Sequence, residues 1–328
     1  MPYLLGLDVG SAATWAAICR RAPGPAGWGP PSPVATDAPP AVPGLFRRCG
    51  DDVPVYCDNL LITPQALVVE QARAAGDQVW AREGEGPEGI AVAYPSAWGP
   101  GRVGLLRAAF DDAGMSNVVL VSRACAVVER HLAAGRPVAS GRPVAVCRIG
   151  RASVEVSLLV PYGPGRLEVL GAATADEFGG DDLAEGGAAS ARAVMAAVLD
   201  LVRRTARPCQ VGLGDLAAVL AAGGGAAHPV VVPSLADALP APVIREDDPW
   251  LTVARGTALA LRSPALSSAV VPALASSAVP SPEVANVLVL PTELLPITDS
   301  RLGVSELGPG EIPPRPPVQV AAPKVGGK

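Results

Sequence analysis

Lysine is almost missing from this sequence. Of its 26 basic residues only Lys324 and Lys328 are lysines. Any chemistry that needs an ammonium group earlier in the chain is therefore excluded there, because the other basic residues are guanidiniums that do not lose their proton. Histidine is nearly as scarce, with His131 and His228 alone. The six cysteines, Cys19, Cys49, Cys57, Cys125, Cys147 and Cys209, never fall in a Cys-x-x-Cys spacing. A zinc cluster is not expected from that set, and most of the thiols read as small buried hydrophobes. No apolar run of about 18 residues escapes proline, glycine or charge, so no membrane-spanning helix is expected. Charge of one sign is also lacking: 31 acidic and 26 basic residues are mixed along the chain for a net charge of -5. Without a basic stripe, nucleic acid is not an expected partner. The start MPYLLGLDVG has no basic n-region, carries Asp8 inside its apolar run and offers no small-residue cleavage site, so a cytoplasmic location is expected.

What is present is hydrophobic surface. The 328 residues are 49% hydrophobic with a mean hydropathy of +0.33, enough for one large core or two modest ones. Residues 3–9 form a continuous apolar strand that ends in a Gly-Ser turn, and residues 14–19 resume as a second strand, the pattern of a hairpin. Residues 22–44 are crowded with proline and glycine and read as a loop. A short strand at 53–56 precedes a helix capped by Thr63, with Pro64 in its first turn, running to about Ala75. Strand 89–95, helix 102–113, strand 117–121 and helix 124–133 follow, the order of an α/β sheet with helical cover. Strands 144–149, 154–160 and 167–172 form consecutive hairpins, so the sheets are mixed. Residues 182–207 are mostly helical, 216–222 form a strand that feeds Gly223-Gly-Gly225, and 249–261 form a closing apolar helix. Beyond Arg262 the composition turns to Pro, Ala and Ser, that of a disordered tether with one apolar island at 284–291.

Several segments, in this order, carry a likeness to a known family. The turn Gly6-Leu-Asp-Val-Gly-Ser11 resembles the opening phosphate loop of the actin/hexokinase/heat-shock ATPase superfamily. The stretch from Ile90 to Gly114, with its Pro-x-x-Trp-Gly and arginine-rich helix, is similar to a strand and helix of the seventy-kilodalton heat-shock chaperones (DnaK-like). It looks especially like their divergent actinobacterial members. The hairpin VCRIGRASVEVS (146–157), the segment Glu177-Phe-Gly-Gly-Asp-Asp-Leu183, and Gly223-Gly-Gly-Ala-Ala-His-Pro229 with Asp247-Asp-Pro-Trp and Ala254-Arg-Gly-Thr-Ala258 complete the series. The resemblance covers residues 3–262. It implies an α/β, two-lobed actin-like ATPase fold with mixed sheets flanked by helices. Lobe I would span 1–142, with a small insertion at about 36–87. A reduced lobe II would span 143–247, a helix at 248–262 would return to lobe I, and 263–328 would be the tether.

The same resemblance implies a nucleotide cleft. Asp8, Gly10 and Ser11 would form its first phosphate loop, Gly150, Arg151 and Ser153 its second, and Gly223 and Gly224 would contact adenosine. The departures from the family are as informative. Ser11-Ala12 stands for a threonine pair, Arg148-Ile-Gly-Arg-Ala-Ser153 for Asp-Leu-Gly-Gly-Gly-Thr, and Ser122-Arg123-Ala-Cys125 for the Asn-Glu-Pro-Thr that carries a catalytic glutamate. The phosphate-contacting lysine has no equivalent. The interval from Asp182 to Gly223 lacks room for the family's upper subdomain, and Ala227 stands where an arginine stacks on the base.

Arginine in place of two carboxylates removes a seat for magnesium, so no catalytic residue, metal site or bound cofactor is expected. The sequence leaves three readings of Arg123 and Arg148 open: a charge-assisted pair with Asp8 across the cleft, exposure to solvent, or direct capture of a phosphate or other anion. His131 reads as a solvated or capping histidine, Cys125 as an inert buried thiol, and Asp181-Asp182 as a helix cap. The expected function is a catalytically inactive chaperone-like protein, a pseudo-ATPase that binds or scaffolds an unidentified protein partner. The tether would lead to a further module or membrane segment, and the 284–291 island would serve docking or self-association. The alternative is a weak ATP-binding or ATP-hydrolysing switch with a rebuilt arginine-rich phosphate site, using ATP or ADP with magnesium.

Overall fold

Two five-stranded sheets organise the chain, and each begins with a hairpin. A computed structural model describes residues 1–22, 27–38, 42, 44–57, 60–136 and 138–262. The expected tether 263–328 and its island 284–291 lie outside them. The first sheet holds β1 (Tyr3–Val9), β2 (Thr14–Arg21), β3 (Trp28–Val34), β6 (Gly89–Tyr94) and β7 (Val118–Ser122). Between β3 and β6 come α1 (Leu45–Arg48), the small hairpin β4 (Val55–Cys57) and β5 (Leu60–Ile62), and α2 (Pro64–Glu83). Helix α3 (Pro100–Asp112) joins β6 to β7, and α4 (Arg123–Ala133) follows β7 directly. The second sheet holds β8 (Val144–Ile149), β9 (Val154–Gly163), β10 (Arg166–Ala175), β11 (Ala218–Ala222) and β12 (Val243–Arg245). Around it lie α5 (Gly180–Glu185), α6 (Gly187–Ala206) and α7 (Val231–Ala238), and α8 (Thr252–Ala260) ends the described chain.

The two sheets share one topology. The strand orders are β3-β2-β1-β6-β7 and β10-β9-β8-β11-β12, with two antiparallel pairings followed by two parallel ones in each. Both central strands are buried along their whole length because helices cover both faces. One core sets α1, α2 and α3 against the first sheet, and another sets α6 and α7 against the second. A third lies between the sheets, where α4 and α8 pack against residues of both. Small residues make that middle layer thin. A Cβ on Gly256 would sit 1.8 Å from the Ala126 carbonyl oxygen, and one on Gly6 would sit 2.2 Å from the Ala258 nitrogen, so α8 touches α4 and β1 backbone to backbone.

Some elements depart from the sequence reading. Residues 28–34 are not loop: they form β3, an edge strand that pairs only with β2 despite Pro30, Pro31 and Pro33. Proline is tolerated there because an edge strand needs only one side of its backbone for the ladder. Helix α2 runs past Ala75 to Glu83, since Gly76 packs beside Leu5 and the chain turns out only at Gly84, whose φ is 77°. Residues 182–207 divide into two helices at Gly186-Gly187, with Gly187 at φ +65°. Neither α7 nor β12 stands out in the sequence, because Pro233 and Pro242 break their periodicity. The segment 36–87 places α2 in the same core as the first sheet. The described residues all lie in one compact unit. No helix among them is long and apolar enough to cross a membrane.

Candidate functional site

Each sheet presents its first hairpin turn to the same cleft. In the β1–β2 turn the Gly10 amide donates to the Ala13 carbonyl at 3.1 Å; in the β8–β9 turn the Gly150 amide donates to the Ser153 carbonyl at 2.8 Å. The two turns correspond residue for residue, so Asp8 and Arg148 occupy equivalent places two residues before the glycine. Across the hairpins Asp8 is paired in register with Trp15, and Arg148 with Glu155. The second turn is clamped by the start of α5, where the Gly180 and Asp181 amides donate to the Gly150 and Arg151 carbonyls at 2.7 and 3.0 Å.

Between the turns lies a cleft of about 640 Å³, lined by Gly10, Ser11, Arg123, Arg148, Gly150, Arg151, Ser153 and Gly224 among others. Eight of the ten residues singled out from the sequence therefore face one space. Asp8 and Gly223 stand behind the surface. Gly223, at φ +85°, wedges against β8, where a Cβ would lie 2.4 Å from the Ile149 carbonyl oxygen. Trp15 and Trp250 meet at 6.4 Å between ring centroids on one wall, and Phe46 forms another.

The floor is a buried cluster of four charges. Arg123 enters it because Ser122 caps α4, its Oγ accepting from the Cys125 amide, and this leaves Arg123 in the first helical position beside the ends of β1 and β9. Its Nε donates to Asp8 Oδ1 at 3.0 Å, its Nη1 to Glu155 Oε1 at 2.7 Å, and its Nη2 to the Val9 carbonyl at 2.9 Å. The Phe46 ring lies 4.6 Å from the same guanidinium. Arg148 completes the square, with Nη2 to Asp8 Oδ2 at 3.4 Å and Nη1 to Glu155 Oε1 at 3.2 Å; its Nε has no protein partner. Glu155 Oε2 accepts from the Ser96 amide at 3.2 Å, and the Ser96 hydroxyl in turn accepts from the Ala124 amide at 2.8 Å.

All four side chains are at least nine-tenths buried, with Asp8 2% exposed and Arg123 4%. Two positive and two negative charges cancel, which is the condition for holding ions at that depth. Burial works against the charge on Arg123, and the Asp8 and Glu155 carboxylates outweigh it, so its pKa lies above the ordinary arginine value. Of the three readings of the arginines, solvent exposure is excluded by burial. Both guanidiniums reach Asp8, and both also reach Glu155, a residue the sequence reading overlooked. Its signal was a charge in the otherwise apolar run Val154-Glu-Val, directly across the hairpin from Arg148.

The remaining candidates settle into structural positions. Arg151 points away from the cluster to an exposed pair with Asp181 at 2.8 Å. Asp182 receives the Gly179 amide at 2.8 Å, so the expected helix cap is Asp182 alone and Asp181 serves Arg151. His131 is not solvated: it is 6% exposed, and burial, together with Arg136, lowers its pKa against the pull of Glu246. His228 Nδ1 accepts from the Val230 amide at 3.3 Å. Cys125 is half-buried rather than fully buried, and burial raises its thiol above the ordinary value. Asp176 lines the cleft and is raised first by burial. No family model matches this chain, and no curated protein matches it.

Proposed function

We propose that this chain is a pseudo-ATPase: an actin-like, chaperone-related fold that binds or scaffolds a protein partner and neither hydrolyses nor appreciably binds nucleotide. The fold part of this reading is supported by two sheets of the same strand order with corresponding turns that face one cleft. The observation that carries the functional part is the four-charge floor. A magnesium nucleotide needs free carboxylates for the metal's waters and glycine-rich backbone for the phosphates. Here both oxygens of Asp8 are taken by guanidiniums, Glu155 is shared between the same two arginines, and Arg151-Ala152 puts Cβ atoms on the second turn. The residues present do not fit that group.

In this reading the arginines replace a ligand as the tie between the two sheets. Asp8 comes from the first sheet, Arg148 and Glu155 from the second, and Arg123 from the helix between them. The cleft is then a fixed surface feature of a binding protein, in a cytoplasmic setting. The Pro-, Ala- and Ser-rich residues 263–328 fit a tether to a further module or membrane segment. A second reading, a weak nucleotide-dependent switch, is favoured by one observation: a cleft of about 640 Å³ persists, with Arg47 and Arg151 exposed on its walls. Isothermal titration calorimetry of ATP and ADP, with and without magnesium, separates the two. The pseudo-ATPase reading expects only heats of dilution at millimolar nucleotide; a saturable isotherm would replace it with the switch.

A further inference from the structure

Away from the cleft, a buried histidine in the last turn of α4 has no protein partner. His131 is 6% exposed, and its imidazole makes no hydrogen bond to any described residue. A buried ring nitrogen left in that state is costly unless water or a ligand reaches it. Two spaces do reach it. One is a gap of about 10 Å³, bounded by Arg130, Glu246 and Thr252, which is the room of roughly one water. The other is a groove of about 530 Å³, a volume usual for a small-molecule site.

The groove forms where the end of α4 and residues 136–142 meet the first residues of β11 and the edge strand β12. Its walls are small and apolar, from Val138, Ala139, Ala217 and Ile244, and its charges are Arg136 and Arg142. Arg136 is exposed and makes no ion pair with any described residue. Arg142 donates from Nη2 to the Asp215 carbonyl at 3.0 Å, which holds the side chain without neutralising it. Glu246, the carboxylate beside His131, already meets Arg130 at 2.8 Å and Arg255 of α8 at 3.7 Å. Three guanidiniums thus line the groove and the gap against one carboxylate, in a chain whose net charge is -5. Such a local excess of positive charge draws anions.

We propose that this groove binds a small organic oxyanion, a carboxylate or phosphate on a short apolar body, paired with Arg136 and Arg142 and hydrogen-bonded by His131. Guanidiniums suit both groups, because their planar forks match carboxylate and phosphate oxygens. Burial and Arg136 lower the imidazole pKa against the pull of Glu246, which leaves a neutral ring with one N–H to donate. An anion beside Arg136 offsets that guanidinium and raises the imidazole pKa. By reciprocity, the anion binds more tightly as pH falls through it. The site is distinct from the cleft and does not rest on the pseudo-ATPase reading.

The test is NMR of the full chain labelled at histidine, which has two imidazoles, with His228 as the internal control. The probes are inorganic phosphate, butyrate and the uncharged butyramide, at constant ionic strength. The His131 signals are expected to move saturably with phosphate or butyrate, half-complete below about 10 mM, with its titration midpoint raised at saturation and His228 unmoved. Arg136→Gln and Arg142→Gln alter exposed side chains and should each weaken binding about tenfold, the loss of one charge-assisted contact. Unchanged His228 signals show that each variant is folded. No saturable movement with either anion, the same movement with butyramide, or full affinity in both arginine variants would each overturn the proposal.

Discussion

Arg123 holds more of the cleft floor than any other side chain, through contacts to Asp8, Glu155 and the Val9 carbonyl. Truncating it leaves two carboxylates buried with only Arg148 between them. Arg123→Ala is expected to cost about 3–5 kcal/mol in urea denaturation, the usual penalty for breaking a buried ion pair. Arg148→Ala should cost less, because its contacts are longer, at 3.2 and 3.4 Å, and its Nε gains nothing from the protein. The reverse ranking would mean that the second sheet, not α4, anchors the cluster. Both arginines were legible in the sequence, since each stands where the resemblance calls for a carboxylate. Their second partner was not. Glu155 becomes a site residue only through the hairpin register that sets it opposite Arg148, and register is a property of paired strands rather than of either one.

Helix α4 is the element that joins the sheets. Besides Arg123 at its start, Glu129 accepts from the Gly165 amide in the β9–β10 turn, and Arg130 pairs with Glu246 at 2.8 Å. Glu246 also meets Arg255 of α8, at 3.7 Å. The contact between α4 and α8 depends on Gly256, so Gly256→Ala should destabilise by about 1–3 kcal/mol or more, the cost of overpacking where backbone must move. Burial raises the Glu129 pKa above its ordinary value of 4.5. A raised carboxylate contributes stability below that value and loses it as pH rises through the folded-state pKa. Glu129→Gln, which can still accept the Gly165 bond, should therefore flatten the fall in stability on the alkaline side of 4.5. His131 works in the opposite sense: its pKa is lowered from 6.5, so its contribution holds above 6.5 and is lost as pH falls below it. Melting temperatures across this range, with His131→Gln beside Glu129→Gln, check both signs. Among the elements, α4 and α8 were readable from their apolar spacing. Strand β3 was not, because three prolines in seven residues carry the signal of a loop until an edge position removes the objection.

At the scale of the whole molecule, two sheets with one strand order share a middle layer of helices and a buried, neutral cluster of charges. Their likeness was hidden in the sequence. The corresponding turns read Asp8-Val-Gly-Ser-Ala-Ala13 and Arg148-Ile-Gly-Arg-Ala-Ser153, with only a glycine and an alanine in common. Only the paired strands and the matching Gly10 and Gly150 bonds reveal it. The difference that obscures the repeat also fits the lock, since equivalent positions facing one another across a cleft can pair only if their charges differ. In the proposed reading this pairing, rather than a nucleotide, ties the two sheets into one cooperative body. Differential scanning calorimetry of the full chain, with and without millimolar magnesium ATP, puts that claim to its most direct test. A ligand at about 100 times its dissociation constant would stabilise the fold by about 2.7 kcal/mol. A single transition whose midpoint does not move with nucleotide is expected; two separate transitions, or a midpoint that climbs with magnesium ATP, would contradict the pseudo-ATPase reading.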